Sequence, residues 1–364
     1  MKKEETPIIV DISDNLEIVE SAQPLMSVEQ ILSQYPGLTK VSKTNVVNLT
    51  GLRKSLDRVK GQDDSIEVIW ELIKNWIRKA RKKKPLVLML AGSSGTGKTY
   101  TAKQIHESLA VNGYKFVRLN MNEYQNQADI WKLLGSSTGY SGSTDDSPLF
   151  AARKMSEKLV ILFDEIEKAH SSLFTAIMGL MDEGLLANGR GEEYDFSQSI
   201  IVFTTNLAMD LLINAKRRLS VQGITIDDQQ FQNEMKAILK KAGMRNEICG
   251  RIGCLLVYNT FGESDVIDLT LDQIRMKAGE YEIRINGVSQ SYLESVAARC
   301  ANNNEGARPI EKIVEREIEP FLQDVYEDGK IDLNQLYDIV YENGKFNLAH
   351  SASPDVKSVD EIIN

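Results

Sequence analysis

Eight consecutive residues, Gly92, Ser93, Ser94, Gly95, Thr96, Gly97, Lys98 and Thr99, follow the pattern G-x-x-x-x-G-K-[ST]. A turn of this composition can wrap phosphate groups with backbone N–H groups, helped by the N-terminus of a following helix. Lys98 then brings a point charge to the β/γ oxygens, and the Thr99 hydroxyl becomes a ligand for Mg²⁺. A chance glycine-rich turn is the plain alternative. The flanks argue against it: Leu86–Ala91 reads as a buried strand before the turn, and helical pattern begins near Tyr100 after it. ATP with Mg²⁺ is the expected cofactor pair.

A second constellation is the acidic pair Asp164 and Glu165 at the end of the apolar run Leu159–Phe163. Carboxylates at the end of a buried strand are costly unless they serve a charge, which here would be the metal ion. Asp164 is the expected metal-side ligand and Glu165 the expected base that polarises an attacking water. The competing reading is a helix N-cap with an acidic first turn. Asn206 ends a further apolar run and could position the same water, although asparagine also simply closes strands and turns.

Those groups need a scaffold that brings strand ends together. Five short apolar runs, Leu86–Ala91, Tyr114–Asn120, Leu159–Phe163, Ile200–Thr204 and Leu255–Phe261, are separated by helical pattern. Continuous hydrophobic runs alternating with helices predict an α/β fold with a five-stranded parallel sheet covered on both faces. Before it, the helical spacing from Leu49 to Lys84 is interrupted at Gly61. The run from Arg78 to Lys84 reads as the solvated end of that helix, with a nucleic-acid patch as the alternative. Beyond Phe261, helical pattern at Val266–Ala278, Gln290–Arg299 and Pro309–Tyr326, with a short strand at Glu282–Ile285, predicts a smaller, mostly helical domain. The expected division is a flexible tail over 1–37 (with a short helix at Ser27–Tyr35), a large ATPase domain over 38–261, a lid domain over 262–345, and a second flexible tail over 346–364. No internal repeat is visible.

Bulk composition narrows the function classes. The 364 residues carry 43 Lys and Arg against 52 Asp and Glu, a formal charge of −9, so the chain as a whole lacks the signature of a polyanion binder. Cys249, Cys254 and Cys300 have no paired spacing, which fits a reducing cytoplasmic setting better than a disulfide or zinc framework. His106, His170 and His350 are scattered. No stretch reaches the ~18 uncharged apolar residues that a membrane span needs.

From about Thr39 to Lys345 the sequence resembles Clp-type AAA+ unfoldases, specifically the C-terminal ATPase module of the two-ring members. Thr39 to Lys43 resembles the lead-in to that module, and Val59, Lys60, Gly61 and Gln62 resemble its adenine-side box, which assigns Val59 and Gln62 to the nucleotide. Asn120 to Tyr124 is similar to the family's strand-end motif, and Asp164 to His170 to its extended Walker B segment, the most specific signature in the chain. Asp182 to Gly191 with Asp195 and Phe196 resembles the region that bears a second axial loop. Arg245 to Ile252 resembles the segment that carries an arginine finger, which implies that role for Arg251. Gly306 to Pro309 resembles the sensor-2 motif, which implies a phosphate contact for Arg308. Gly139, Tyr140, Ser141 and Gly142 resemble the axial loop whose aromatic residue grips a threading polypeptide; a tyrosine buried under an ordinary loop is the alternative.

The resemblance implies an ATP-hydrolysing ring, with six subunits expected, that unfolds or disassembles protein substrates. An arginine finger from one subunit would complete its neighbour's site, so a homo-oligomer is required. Ser141 replaces the family's usual aliphatic residue, and Gly253 and Cys254 replace its usual acidic pair. Val221 to Ile224 is a poor match to the tripeptide that docks a peptidase ring, which argues against that partner. With one ATPase module in the sequence, substrate selection is expected from the 1–37 tail, from loops or from an adaptor. A nucleic-acid remodeller would want basic pore loops, whereas Ser136–Asp146 has no Lys or Arg. A nucleotide-switched scaffold that hardly turns over ATP is the remaining alternative.

Overall fold

The computed structural model describes residues 49–135, 146–300, 306–329, 331–332 and 335–351. The chain divides into two units, Met1–Val47 and Asn48–Asn364. The first lies outside the described residues, as do the expected helix at Ser27–Tyr35, the lead-in at Thr39–Lys43 and the loop Gly139–Gly142.

Two helices, α1 (Leu49–Leu56) and α2 (Asp63–Ile77), precede the sheet. They are separated at Gly61, which adopts a positive φ of 70° that favours glycine. The α2 helix stops before the basic run, where Lys82 lies over the Trp76 ring at 5.1 Å. The core sheet then assembles from β1 (Leu86–Ala91), β2 (Lys115–Asn120), β3 (Leu159–Asp164), β6 (Ile200–Thr205) and β7 (Cys254–Val257). The order is β2-β3-β6-β1-β7, and every pairing is parallel. Strands β3 and β6 are buried along their whole length. That explains their unbroken Val, Ile, Leu and Phe runs, since both faces must be covered.

Helices α3 (Lys98–Leu109), α4 (Ile130–Leu134), α5 (Pro148–Met155), α6 (Ser171–Asp182), α7 (Met209–Val221), α8 (Gln229–Lys241) and α9 (Asn246–Arg251) form the crossovers and flanks. A small hairpin of β4 (Leu185–Ala187) and β5 (Glu193–Asp195) follows α6. The register aligns Asn120 with Asp164 and Ala91 with Thr205. The carboxyl ends of β1, β2, β3 and β6 therefore finish at one edge, where ligands bind in open parallel sheets.

The rest is a lid of α10 (Glu263–Glu280), α11 (Gln290–Cys300), α12 (Arg308–Glu317) and α13 (Glu319–Glu327) with strands β8 (Arg284–Val288), β9 (Leu336–Glu342) and β10 (Lys345–His350). Its core includes Ile274, Tyr292, Val296, Ile310 and Leu322. Two sequence expectations are corrected here. The helical stretch Pro309–Tyr326 is two helices, because Pro320 sits in the first turn of α13 and cannot continue the backbone ladder of α12. Residues 346–350, expected in a flexible tail, form β10, paired antiparallel with β9 through the turn Asn343-Gly344. Both turn residues have positive φ, 52° and 78°. That is the two-residue hairpin chemistry of an Asn-Gly pair.

Candidate active site

The turn after β1 is shaped by glycine. Gly95 and Gly97 have φ of 74° and 93°, and a Cβ on Gly92 would lie 2.8 Å from both Thr96 Oγ1 and Tyr258 Cβ. Thr96 Oγ1 donates to the Ser93 carbonyl at 2.8 Å, which closes the loop upon itself. Lys98, the first residue of α3, is buried, and its ammonium donates to the carbonyls of Gly92 and Ser93 and to Asn206 Oδ1 at 2.9 Å. Burial pushes the Lys98 pKa down to about 8, against the opposing pull of Glu167, Asp164 and Glu165; the Arg308 charge acts with the burial. A cation so placed is primed to gain from an incoming phosphate.

Asp164 ends β3 almost fully buried. It accepts from Thr99 Oγ1 at 3.1 and 3.2 Å, from Thr204 Oγ1 at 2.6 Å, and from Arg118 Nε and Nη2 at 3.0 and 2.7 Å. The two residues expected to hold Mg²⁺ thus meet in space, and their hard oxygen donors fit that ion. Glu165 turns the corner in the left-handed region, φ 61° and ψ 54°. Its N–H donates to Thr204 Oγ1 at 2.9 Å, and its carboxylate accepts from Asn122 Nδ2 at 2.6 Å. Glu167 accepts from the Asn206 N–H at 3.1 Å, so the segment after β3 holds the segment after β6.

On the other side of the turn, Gln62 is fully buried, donating to the Asn259 carbonyl at 3.0 Å and accepting from the Asn259 N–H at 2.7 Å. Val59 is buried beside Gly97, 3.6 Å from where a Cβ of that glycine would stand. Buried Lys216 on α7 donates to the Val257 carbonyl and Asn259 Oδ1 at 2.7 and 2.8 Å and pairs with Asp64 at 2.6 Å. From the lid, the Ala307 N–H donates to the Gly95 carbonyl at 3.0 Å, which leaves exposed Arg308 at the start of α12 beside the turn.

Residues 83–254 match the family described as AAA domain (Cdc48 subfamily), and residues 264–339 match the C-terminal, D2-small domain, of ClpB protein. The first covers the sheet and the phosphate turn, the second most of the lid. The chain is homologous to the second ATPase module of ClpB and ClpC. Chaperone protein ClpB of Helicobacter hepaticus is 27% identical over 343 residues, covering 92% of this chain and 38% of that protein. The ATP-dependent Clp protease ATP-binding subunit ClpC of Staphylococcus saprophyticus is 27% identical over 304 residues, covering 80% and 36%. Among solved structures, a closed-state cryo-EM reconstruction of Hsp104 with ATPyS and FITC casein matches with a TM-score of 0.67 at 22% identity, covering 85% of this chain and 53% of that one. That likeness establishes the fold. The chain spans only 36–38% of the two curated relatives.

Within this AAA+ module, Lys98, Thr99, Asp164, Glu165 and Asn206 come together through the strand ends, with Val59 and Gln62 behind the turn. Arg251 stands apart from them. Its Nε donates to Asp182 Oδ2 at 2.7 Å and its Nη1 to the Glu247 carbonyl at 2.9 Å. The loop Gly139–Gly142 lies outside the described residues. Arg118, Thr204, Asn259 and Lys216 escaped sequence reasoning, and Asn122, inside the strand-end motif Asn120 to Tyr124, had no role of its own there. A parity signal existed for Arg118: it lies two residues before Asn120 on β2, and so shares the face on which Asn120 pairs with Asp164.

Proposed function

We propose that this chain hydrolyses ATP and works as a subunit of a cytoplasmic, hexameric ring motor that unfolds or disassembles proteins. The observation that carries the reading is the meeting of Lys98, Thr99, Asp164, Glu165 and Asn206 at the carboxyl ends of β1, β3 and β6. Homology to ClpB and ClpC supports the assignment to protein rather than nucleic-acid substrates.

The backbone N–H groups from Ser93 to Thr99 and the Lys98 ammonium would hold the phosphates. Thr99 and Asp164 would hold Mg²⁺, which when bound neutralises charge on the phosphate oxygens. Glu165 takes a proton from the attacking water, and Asn206, anchored through its N–H to Glu167, orients that water. Arg308 reaches the phosphates from the lid of the same subunit. Arg251 faces the site of the neighbouring subunit, which makes the ring the catalytic unit. Tyr140, between Gly139 and Ser141-Gly142, grips the substrate in the central pore. Val221 to Ile224 forms a tight stop after α7, with the Ile224 N–H bonded to the Leu219 carbonyl at 3.0 Å and Gly223 at φ 78°. No helix among the described residues is long and apolar enough to cross a membrane.

Glu165→Gln tests the chemistry. It keeps the cradle and the metal ligands but removes the base, so nucleotide should still bind while turnover falls by ~10²-fold or more. A variant that hydrolyses ATP at the wild-type rate would take the role of base from Glu165. Wild-type chain that binds ATP and assembles without measurable turnover would favour a nucleotide-switched scaffold instead.

A further inference from the structure

Arg251 is held by more than its own helix. Helix α9, which ends at Arg251, packs against α6, and the two helices are tied at both ends. At the start of α9 the Arg245 guanidinium lies over the Phe174 ring at 5.7 Å, an attraction of cation and ring face. At its end, Arg251 Nε donates to Asp182, the last residue of α6, at 2.7 Å. The α6 helix is well seated, with Leu173, Phe174, Ile177, Leu180 and Met181 buried. It starts directly from the segment that follows Glu165: the Lys168 N–H bonds to the Glu165 carbonyl at 2.9 Å, and the His170 imidazole caps α6 by accepting from the Ser172 N–H at 3.2 Å. Twelve residues of helix make a rod about 18 Å long between the catalytic segment and Asp182.

A guanidinium has five N–H donors in a rigid fork. Asp182 takes Nε and the Glu247 carbonyl takes Nη1, two different edges of the fork, which fixes its plane while Nη2 is left for a further acceptor. The pair is partly solvated, with side-chain exposures of 27% for Arg251 and 46% for Asp182. Such a pair contributes little to folding, so its value lies in direction. Neither Gly253 nor Cys254, the residues that follow Ile252, offers Arg251 a carboxylate, so the acid that aims it comes from α6.

We propose that Asp182 is the positioning residue for Arg251, and that α6 thereby ties the Glu165 segment of one subunit to the arginine presented to the next. The inference rests on the reading of Arg251 as the residue that completes the neighbour's site.

The test compares Asp182→Ala, Asp182→Glu, Arg251→Ala and the double variant Asp182→Ala/Arg251→Ala in the full chain, with steady-state ATPase, fluorescent-nucleotide titration, thermal melting and sedimentation with ATP. Asp182→Ala should lower kcat by about tenfold, because small displacements of a transition-state group cost rate rather than binding. KM, nucleotide affinity, melting temperature and assembly should stay near wild type. Asp182→Glu should recover part of the rate, and the double variant should be no slower than Arg251→Ala alone. Wild-type kcat in Asp182→Ala beside a slow Arg251→Ala would overturn the positioning role only, whereas wild-type turnover in Arg251→Ala would overturn the arginine-finger reading itself. Faster turnover in Asp182→Ala would make the pair a brake. Loss of assembly or of melting temperature in that variant would make it an interface or folding contact. Each of these four results rejects the proposal.

Discussion

Glu165 carries two constraints at once: a left-handed backbone, which costs an L-residue roughly 1–2 kcal/mol, and a carboxylate bound by the Asn122 amide at 2.6 Å. On the proposed mechanism the amide restrains the base, since a carboxylate tied to Asn122 must break that hydrogen bond before it can turn to the attacking water. Asn122→Ala should raise ATPase activity in the absence of substrate several-fold, up to about the tenfold that one hydrogen bond to a charged group is worth. A fall in turnover would mean that Asn122 orients Glu165 instead. This contact was not legible in the sequence, and its reason separates it from the residues that were. Gly92 to Thr99 are neighbours in the chain and close one turn, so their spacing alone announces their chemistry. Asn122 and Glu165, Arg118 and Asp164, or Lys216 and Asp64 meet only after the strand order and register are known.

Among elements, the lid and the phosphate turn share a backbone hydrogen bond between Ala307 and Gly95. Gly306 makes the approach possible: its φ is 65°, and a Cβ there would stand 2.5 Å from the Gly95 carbonyl carbon. Gly306→Ala should push the start of α12 off the turn and weaken nucleotide binding by about tenfold, since the backbone conformation alone costs an alanine roughly 1–2 kcal/mol. Fluorescent-nucleotide titration beside thermal melting checks it, and unchanged affinity would show that lid and turn move independently. Inside the lid, Arg299 holds the Glu317 carboxylate through two bonds at 2.7 and 3.1 Å, and Arg316 adds a third at 2.7 Å. Those partners pull its pKa down to about 2 from an ordinary 4.5. A carboxylate depressed by folding stabilises the folded state above its ordinary value, and that stability drains away as pH falls from about 4.5 toward 2. Lid unfolding followed by tyrosine near-ultraviolet circular dichroism should show this acid slope, and Glu317→Gln should flatten it. The lid was the less legible domain. Its helices were readable from their spacing, but Pro320 and the Asn343-Gly344 turn are local signals that a periodicity reading passes over.

At the scale of the whole molecule, the motor reading separates from a bare ATPase at Tyr140. If its ring grips substrate, small aromatic contacts repeated in each subunit add through multivalency. Tyr140→Ala should then keep its ATPase rate while unfolding of a tagged substrate collapses, and Tyr140→Phe should be mild. A large drop in melting temperature together with lost turnover would return Tyr140 to a buried, structural role. A ring must also avoid joining in wrong ways, and one feature of the sheet bears on this. Among the described residues, strand β2 has a partner strand on one side only, and an unpaired sheet edge can recruit another chain. Lys115 and Arg118 are the charged residues on that strand, and Arg118 is spoken for by Asp164. The guanidinium that pairs with Asp164 therefore also places a charge on the sheet's edge strand, as charged edge residues do where they discourage strand-to-strand pairing. Replacing Arg118 with valine should raise light scattering while leaving Asp164 with only the Thr99 and Thr204 hydroxyls as donors.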